Sequence, residues 1–521
     1  MRSDKRDPAG PNDPRRGLGS GNARTERMVR TLLRRRKKTL SPDDVKVADR
    51  PAVRRAVSAA ALGNTMEWFD FGVYAYVAST LGKVFFPGSS PGAQVISTFA
   101  TFAAAFLVRP LGGLVFGPLG DRVGRQKVLA VTMIMMAIST FAVGFLPGYK
   151  TIGLAAPVLL LLCRLVQGFS TGGEYAGATT YIAEYSPDRM RGFLGSWLDF
   201  GTFVGYSLGS GLVTVLTAAL SEDQMVDWGW RIPFYVAGPL GIIGLYMRLR
   251  LEETPAFQEV EEKRGEEARM SGKGRLKEVF TDHWQALLVC VGLVLLYNVT
   301  NYTVTSYLPT YMSSTLGESE LTAQLLVLGT MVLVALTITV VGRSSDRYGR
   351  RPLFLWGGGA MIVLSIPVFQ LIRQGGIVLP AIGCVILGLF LVCFAGTSAA
   401  TLPALFPTHL RYGGLSLAYN FSVSLFGGTT PLIASALVDV TGNELVPAYY
   451  LMVAGVIGVI AALFLRETAR KPLRGSSAMA ASEQEAREMV AHSRTRAGRR
   501  ARDTWLRLRQ GHLPHRSHRD E

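Results

Sequence analysis

A run of about 20 consecutive, predominantly apolar residues is the length at which a helix crosses a bilayer, and such runs make up most of this chain. Six fall near residues 56–80, 95–117, 128–147, 154–183, 192–219 and 231–249. Past a charged interval, six more fall near 285–312, 321–342, 352–373, 377–406, 413–438 and 447–465. Inside hydrocarbon every backbone polar group must be paired within its own segment, so runs of this length fold as helices. Of 521 residues, 49% are hydrophobic and only 18% charged, too few charges to keep such a chain in water. The expectation is an all-α integral membrane protein with twelve transmembrane helices in two six-helix halves, 56–249 and 284–466, joined by a linker at 250–283 and flanked by tails at 1–55 and 467–521.

Basic residues in the short loops orient such a bundle, because Lys and Arg stay on the cytoplasmic side. One face holds only Lys83, Lys150, Arg231 and Arg373, whereas the other holds Arg122, Arg125, Lys127, Arg189, Arg191, Arg343, Arg347, Arg350, Arg351 and Arg411. The second face, the linker and both tails are therefore expected in the cytoplasm, with the bundle in the cell membrane. The formal charge of +17 sits mostly in the tails and these loops, which argues against nucleic acid as a partner. Cys163, Cys290, Cys384 and Cys393 lie within apolar runs without paired spacing or a neighbouring histidine, so neither a metal site nor a disulfide framework is expected. The sequence holds no GxxxxGK[ST] loop, against an ATP-driven pump. Neither an enzyme nor a cofactor is expected. The first 55 residues are polar and arginine-rich, unlike a signal peptide, so the first apolar run serves as its own insertion signal, and an overlong start is an equal reading.

An internal repeat relates the halves. GPLGDRVGRQK at 117 returns as GRSSDRYGRRP at 342, so that Asp121, Arg122, Gly124 and Arg125 recur as Asp346, Arg347, Gly349 and Arg350. Pro187 and Arg191 recur as Pro407 and Arg411. Two six-helix halves in parallel orientation are the simplest account. The aspartates can accept hydrogen bonds from helix N-termini or pair with arginine, and the glycines let helix ends approach, which makes these eight residues a candidate cytoplasmic gate. The duplicated GxxxDRxGR loop resembles the signature of the major facilitator superfamily. Within it, GNTMEWFDFGVYAYVASTLGKVFFP, RLVQGFSTGGEYAGA, AEYSPDRMRGFLGSWLDFG, DWGWRIPF, LEETPAF, TLPALFPTHLRY and PAYYLMV are similar to the metabolite:proton symporter family, most of all to its proline/glycine betaine symporters, from about residue 52 to about 474.

That resemblance implies a proton-driven secondary importer of a small zwitterionic compatible solute, working by alternating access, with the first helix lining the path. A carboxylate metabolite such as citrate, oxoglutarate or shikimate is the alternative cargo, and a non-transporting membrane sensor is the alternative of another class.

Charged side chains within hydrocarbon cost at least ~2.5 kcal/mol each, so the intramembrane ones are functional candidates: Glu67, Asp70, Arg109, Arg164, Glu174 and Asp199. At ~100° per residue, Asn64, Glu67, Phe71, Tyr74 and Ala78 fall within an arc of roughly 80°, with Asp70 beside it. Trp68, Phe71 and Tyr74 around Glu67 combine aromatic faces with a carboxylate, a receptor for a weakly hydrated cationic nitrogen. Arg109 or Arg164 is the candidate for the carboxylate end of a zwitterion. Arg164, Gln167 and Glu174 share a face of the fourth helix, so one buried charge is expected to balance the other, while Gly168, Gly172, Gly173 and Gly177 permit close helix contact. Either Glu67 or Glu174 is the candidate carrier of the coupling proton. Gly201, Gly205 and Gly209 read as a packing seam. From the second half, Asn298, Asn301, Tyr302 and Thr305 share a face of the seventh helix and complete the pathway.

The first 50 residues, with the run RRRKK at 34–38, are expected to be disordered and to rest, like the basic C-terminal tail, on anionic lipid headgroups. From about 475 that tail passes from acidic and alanine-rich to basic without a sustained heptad pattern. A C-terminal coiled coil, in which the best-known osmoprotectant symporter ends, is therefore not expected here. A monomer is expected as the transport unit, with dimerisation left open.

Overall fold

The computed structural model describes residues 40–123, 125–249 and 278–493. Residues 47–481 form one compact unit, whose described residues build twelve main helices joined by short ones. In the first half these are α1 (Arg50–Tyr76, continued past Val77 by Ala78–Phe85), α2 (Pro91–Val123), α3 (Arg125–Val143), α4 (Ala155–Ser170, resumed as Glu174–Tyr185), α5 (Arg191–Ala219) and α6 (Ile232–Leu249). The second half holds α7 (Trp284–Tyr302, extended by π-helical turns to Thr315), α8 (Glu320–Tyr348), α9 (Arg350–Ile372), α10 (Val378–Thr401), α11 (Thr408–Ser422, resumed as Thr430–Thr441) and α12 (Val446–Phe464). Among the described residues nine of them are long and apolar enough to cross a membrane; α1, α6 and α3, whose apolar part is Ala130–Val143, complete the twelve.

Helix ends follow from the local sequence. Pro51 and Pro91 occupy first-turn positions, where a missing N–H costs nothing and φ is already helical. α1 thus begins at Arg50, inside the stretch expected as tail. Gly349 divides α8 from α9 with φ +104°, a conformation that disfavours any side chain, and an added Cβ would meet the Glu467 carboxylate. π-Helical turns at Thr303–Tyr307 and Tyr311–Thr315 in α7 and at Val423–Gly427 in α11 widen both helices beside the buried centre.

α5 is the axle of the bundle, packing on α1 within its half and on α8 and α10 across the halves. Its glycines form the expected seam: a Cβ at Gly201 would strike the Ala61 carbonyl, and one at Gly205 the Thr65 carbonyl. α2 and α4 meet the same way, Gly168 lying on Ala105 and Gly172 on Arg109, whereas Gly173 and Gly177 face Tyr412 of α11. Elsewhere α3 pairs with α6, and α9 with α10 and α12.

After α12, residues 466–481 lie bonded along the arginine-rich face of the body. The remaining described residues, 40–46 and 482–493, belong to a second unit, in which Leu40 N donates to Ser493 Oγ (3.1 Å). The RRRKK run and the basic end of the C-terminal tail lie outside the described residues.

Candidate solute site and latch

Glu67 of α1 and Arg109 of α2 form an ion pair at 3.2 Å, both at most 3% exposed. A buried carboxylate persists where a charge and hydrogen bonds compensate it. Arg109 Nη2 also donates to the Thr171 carbonyl (3.3 Å), at the break in α4. Its guanidinium lies 5.7 Å from the Phe71 ring centre and 5.5 Å from that of Phe106. Nε and Nη1 of Arg109 have no hydrogen-bond partner among the described residues. Trp68 packs on Phe71, Tyr206 and Tyr302 with ring centres 5.3–6.0 Å apart, and Phe106 closes the group against Phe71 (4.9 Å) and Tyr302 (5.2 Å). The result is an aromatic box from both halves with one acid and one base in its wall.

Other residues singled out from the sequence hold this box. Asn64 donates to Leu198 O (2.8 Å) and Thr202 of α5 and accepts from the Trp68 indole (3.0 Å), so it positions Trp68. Tyr302 belongs to the box, and its hydroxyl, like Asn301 Oδ1, has no partner among the described residues. Asn298 donates to Val294 O of its own helix (3.0 Å).

Arg164 differs from its expected role. It bonds to Gln167 and lies over Tyr74 (4.1 Å), Phe102 (5.3 Å) and Phe71 (5.4 Å). Tyr74 is itself tied to α2 through Thr98 O (3.1 Å) and Thr101, while Asp70 accepts from Thr140 of α3 (3.3 Å). Glu174 accepts from Thr132 of α3 (3.2 Å). The expected balance between Arg164 and Glu174 assumed one unbroken helix; α4 is interrupted at Thr171–Gly173, which resets the rotational phase between them.

The arginine-rich face is closed. Asp346 of α8 accepts from Gly192 N (2.8 Å) and Phe193 N (2.9 Å), capping the N-terminus of α5 in the other half, and pairs with Arg350 at 3.5 Å. Arg343 covers Phe193 (4.9 Å), and exposed Arg347 lies 5.4 Å from the Tyr348 ring. Asp121, Arg122, Gly124 and Arg125, the first-half counterparts, fall outside the described side chains. The second repeated pair is visible in both halves: Arg191 reaches back to Ala183 O (2.9 Å) and Arg411 to Pro403 O (3.2 Å). Arg411 also pairs with Glu184 across the halves at 2.5 Å.

Residues 466–481 strap this face. Glu467 accepts from the amides of Arg350 (3.0 Å) and Arg351 (3.1 Å) at the start of α9. Arg470 donates to Asp346 O (2.8 Å), Arg191 to Lys471 O (3.0 Å) and Arg411 to Arg474 O (2.9 Å). Asp188 N donates to Met479 O (2.9 Å). Partial burial would raise the Glu467 carboxyl, but four backbone amides hold it below the ordinary glutamate range. Asp188 is raised by burial against the opposing pull of Arg191.

The strap was missed from sequence, although Glu467-Thr468 echoes Glu253-Thr254 at the end of the first half. Asp199 was seen as a charge, but its tyrosine partners lie 24 and 98 residues away and gave no local signal.

The profile of the Major Facilitator Superfamily matches residues 58–419 and, overlapping, 295–510. The proline/betaine transporter of Escherichia coli K12 is 50% identical over 463 residues, covering 88% of this chain and 92% of that protein. The ectoine/proline transporter of Corynebacterium glutamicum is 44% identical over 469 residues, 87% and 91% of the two chains. Among solved structures, the D-xylose–proton symporter shares the fold at 21% identity, with a TM-score of 0.62 over 81% of this chain and 100% of that one. The chain belongs to the Major Facilitator Superfamily, in the group that includes the proline/betaine transporters.

Proposed function

We propose that this protein is a proton-coupled importer of a small zwitterionic compatible solute of the proline or glycine betaine kind. The observation that carries the reading is the Glu67–Arg109 pair set in a wall of Trp68, Phe71, Phe106 and Tyr302. Aromatic faces beside a carboxylate suit a quaternary or secondary ammonium, which carries charge with little hydration to lose. Nε and Nη1 of Arg109, without a partner among the described residues, leave charge-assisted donors for the solute carboxylate to replace its water. Transport by relatives named for proline, betaine and ectoine supports the same chemistry.

In this reading the solute inserts between Glu67 and Arg109, and each end of the zwitterion takes over one half of the existing pair. Occupancy then costs no new buried net charge. The halves rock about the α5 seam, opening first to the outside and then, once Asp346 releases α5, to the cytoplasm. Both termini and the strap are cytoplasmic, and a single chain contains the whole site. The gradient that drives uptake is one of protons. Of the two carriers named from sequence, Glu67 serves Arg109 and Glu174 accepts from Thr132 of α3.

Arg164 favours a second cargo, a carboxylate metabolite, since its Nε and Nη2 have no partner among the described residues. Uptake of labelled glycine betaine and proline into proteoliposomes, with and without an inward proton gradient, separates the readings. Gradient-dependent accumulation, competed by proline and not by citrate or oxoglutarate, is expected. Competition by those acids alone selects the carboxylate reading, and absence of any accumulation selects a sensor.

A further inference from the structure

Asp199 of α5 is fully buried, and neither the solute site nor the latch uses it. Its Oδ1 accepts from the Tyr297 hydroxyl of α7 (2.9 Å), and both its oxygens lie 3.2 Å from the Tyr175 hydroxyl of α4. Tyr175 in turn stacks on Tyr419 of α11, ring centres 4.3 Å apart and planes at 12°. Since α4 and α5 belong to the first half and α7 and α11 to the second, one carboxyl group is held by hydroxyls from both bodies that must separate during transport. Among the described residues no lysine or arginine forms an ion pair with it.

A carboxylate in this position has two neutral donors and no counter-charge, and burial of an unpaired charge is far costlier than two such bonds return. A proton removes the cost. The groups that could compete for that proton can be named from each neighbour. Tyr175, Tyr297 and Tyr419 come from α4, α7 and α11; α10 carries no charged residue; α8 bears its charges at its two ends. From α1 and α2 come Asp70 and the Glu67–Arg109 pair, and Tyr419 lies within electrostatic reach of both that pair and Asp199. The hub therefore adjoins the solute site without sharing its ion pair.

We infer that Asp199 takes up the coupling proton, and that its two tyrosine partners, one from each half, make its hold on the proton depend on whether the halves are closed around it. The inference rests on the proton-coupled reading above. With the halves closed, the carboxylic acid is neutral and tolerates burial. When the cytoplasmic side opens, Tyr297 withdraws with its half and water reaches the group; the O–H bond then breaks, the proton passes to cytoplasmic water, and the carboxylate is left hydrated. It regains a proton when the cycle exposes it to the outside. No other reactant enters the step.

The test compares two modes in proteoliposomes, solute exchange at equal pH and accumulation under an inward proton gradient. Asp199→Asn is expected to keep exchange of labelled glycine betaine within about tenfold, because exchange moves no net proton, and to lose accumulation by at least tenfold. Tyr297→Phe, which keeps the ring, removes one donor to the carboxylate, and the pH midpoint of uptake is expected to rise; this variant reads the proposal even if Asp199→Asn does not fold. Wild-type accumulation and an unchanged pH profile in Asp199→Asn, or an unmoved midpoint in Tyr297→Phe, overturns the inference alone. A wild-type protein that accumulates nothing under the gradient overturns the proton-coupled reading and the inference with it.

Discussion

At the scale of single residues, the pair at 3.2 Å between Glu67 and Arg109 decides most. Removing one partner of a buried ion pair costs about 3–5 kcal/mol, because the other charge is stranded. Arg109→Gln alone should therefore fold poorly, and the double variant with Glu67→Gln should recover much of the folded yield in size-exclusion profiles while transporting nothing. If the double variant transports as wild type, the pair is structural only. Glu67 was legible because a carboxylate within an apolar run has few bland explanations. Arg109 was legible as a charge, but its partner was not, since 42 residues separate them and only the folded bundle closes that distance. Arg164 misled for a definable reason. The sequence Thr171-Gly172-Gly173 carries two residues of low helix propensity, and treating it as continuous helix put Glu174 on the wrong face.

At the scale of elements, α5 links most of what the molecule does. The close approach to α1 permits only small residues, and Gly205→Leu, whose side chain would begin at the Thr65 carbonyl, is expected to abolish folded protein in membrane fractions, whereas Gly63→Leu, with open space around it, is not. The N-terminus of α5 is the moving contact of the latch. Asp346→Ala leaves two amides without their acceptor, a loss of ~1–3 kcal/mol in the closed state. Cysteine probes near Gly192 should then become reactive from the arginine-rich side several-fold faster; unchanged labelling would show that Asp346 does not hold the face shut. Glu467 adds a pH dependence of known sign. Its carboxyl is depressed in the folded state, so its contribution is present above the unfolded value of about 4.3 and is lost as the pH falls through the folded one. Helix number and the α8–α9 turn could be read from the sequence because hydrophobic length and a duplicated glycine are local features. The π-helical turns of α7 and α11 were not, because they arise where the two halves meet.

At the scale of the whole molecule, duplication explains why two arginines, Arg191 and Arg411, make the same backward bond in each half. The strap that follows the second half bonds to both halves, through Arg191 in the first and Arg350 and Arg411 in the second. Alternating access requires that the closed face part. A Cβ at Gly195 of α5 would lie 3.3 Å from that of Ala399 of α10, close to disulfide spacing, with one residue on each half. Gly195→Cys with Ala399→Cys should stop uptake on oxidation and regain it on reduction. Uptake that continues in the oxidised protein would rule out separation of the halves at this face.

If, as proposed, a neutral zwitterion enters together with a proton, each turnover carries positive charge inward. Current recorded from proteoliposomes adsorbed on a solid-supported membrane tests this directly. Addition of glycine betaine should produce a transient inward positive current that grows as the external pH is lowered and vanishes in the Glu67→Gln/Arg109→Gln double variant. Uptake of labelled solute without any accompanying current would contradict the account.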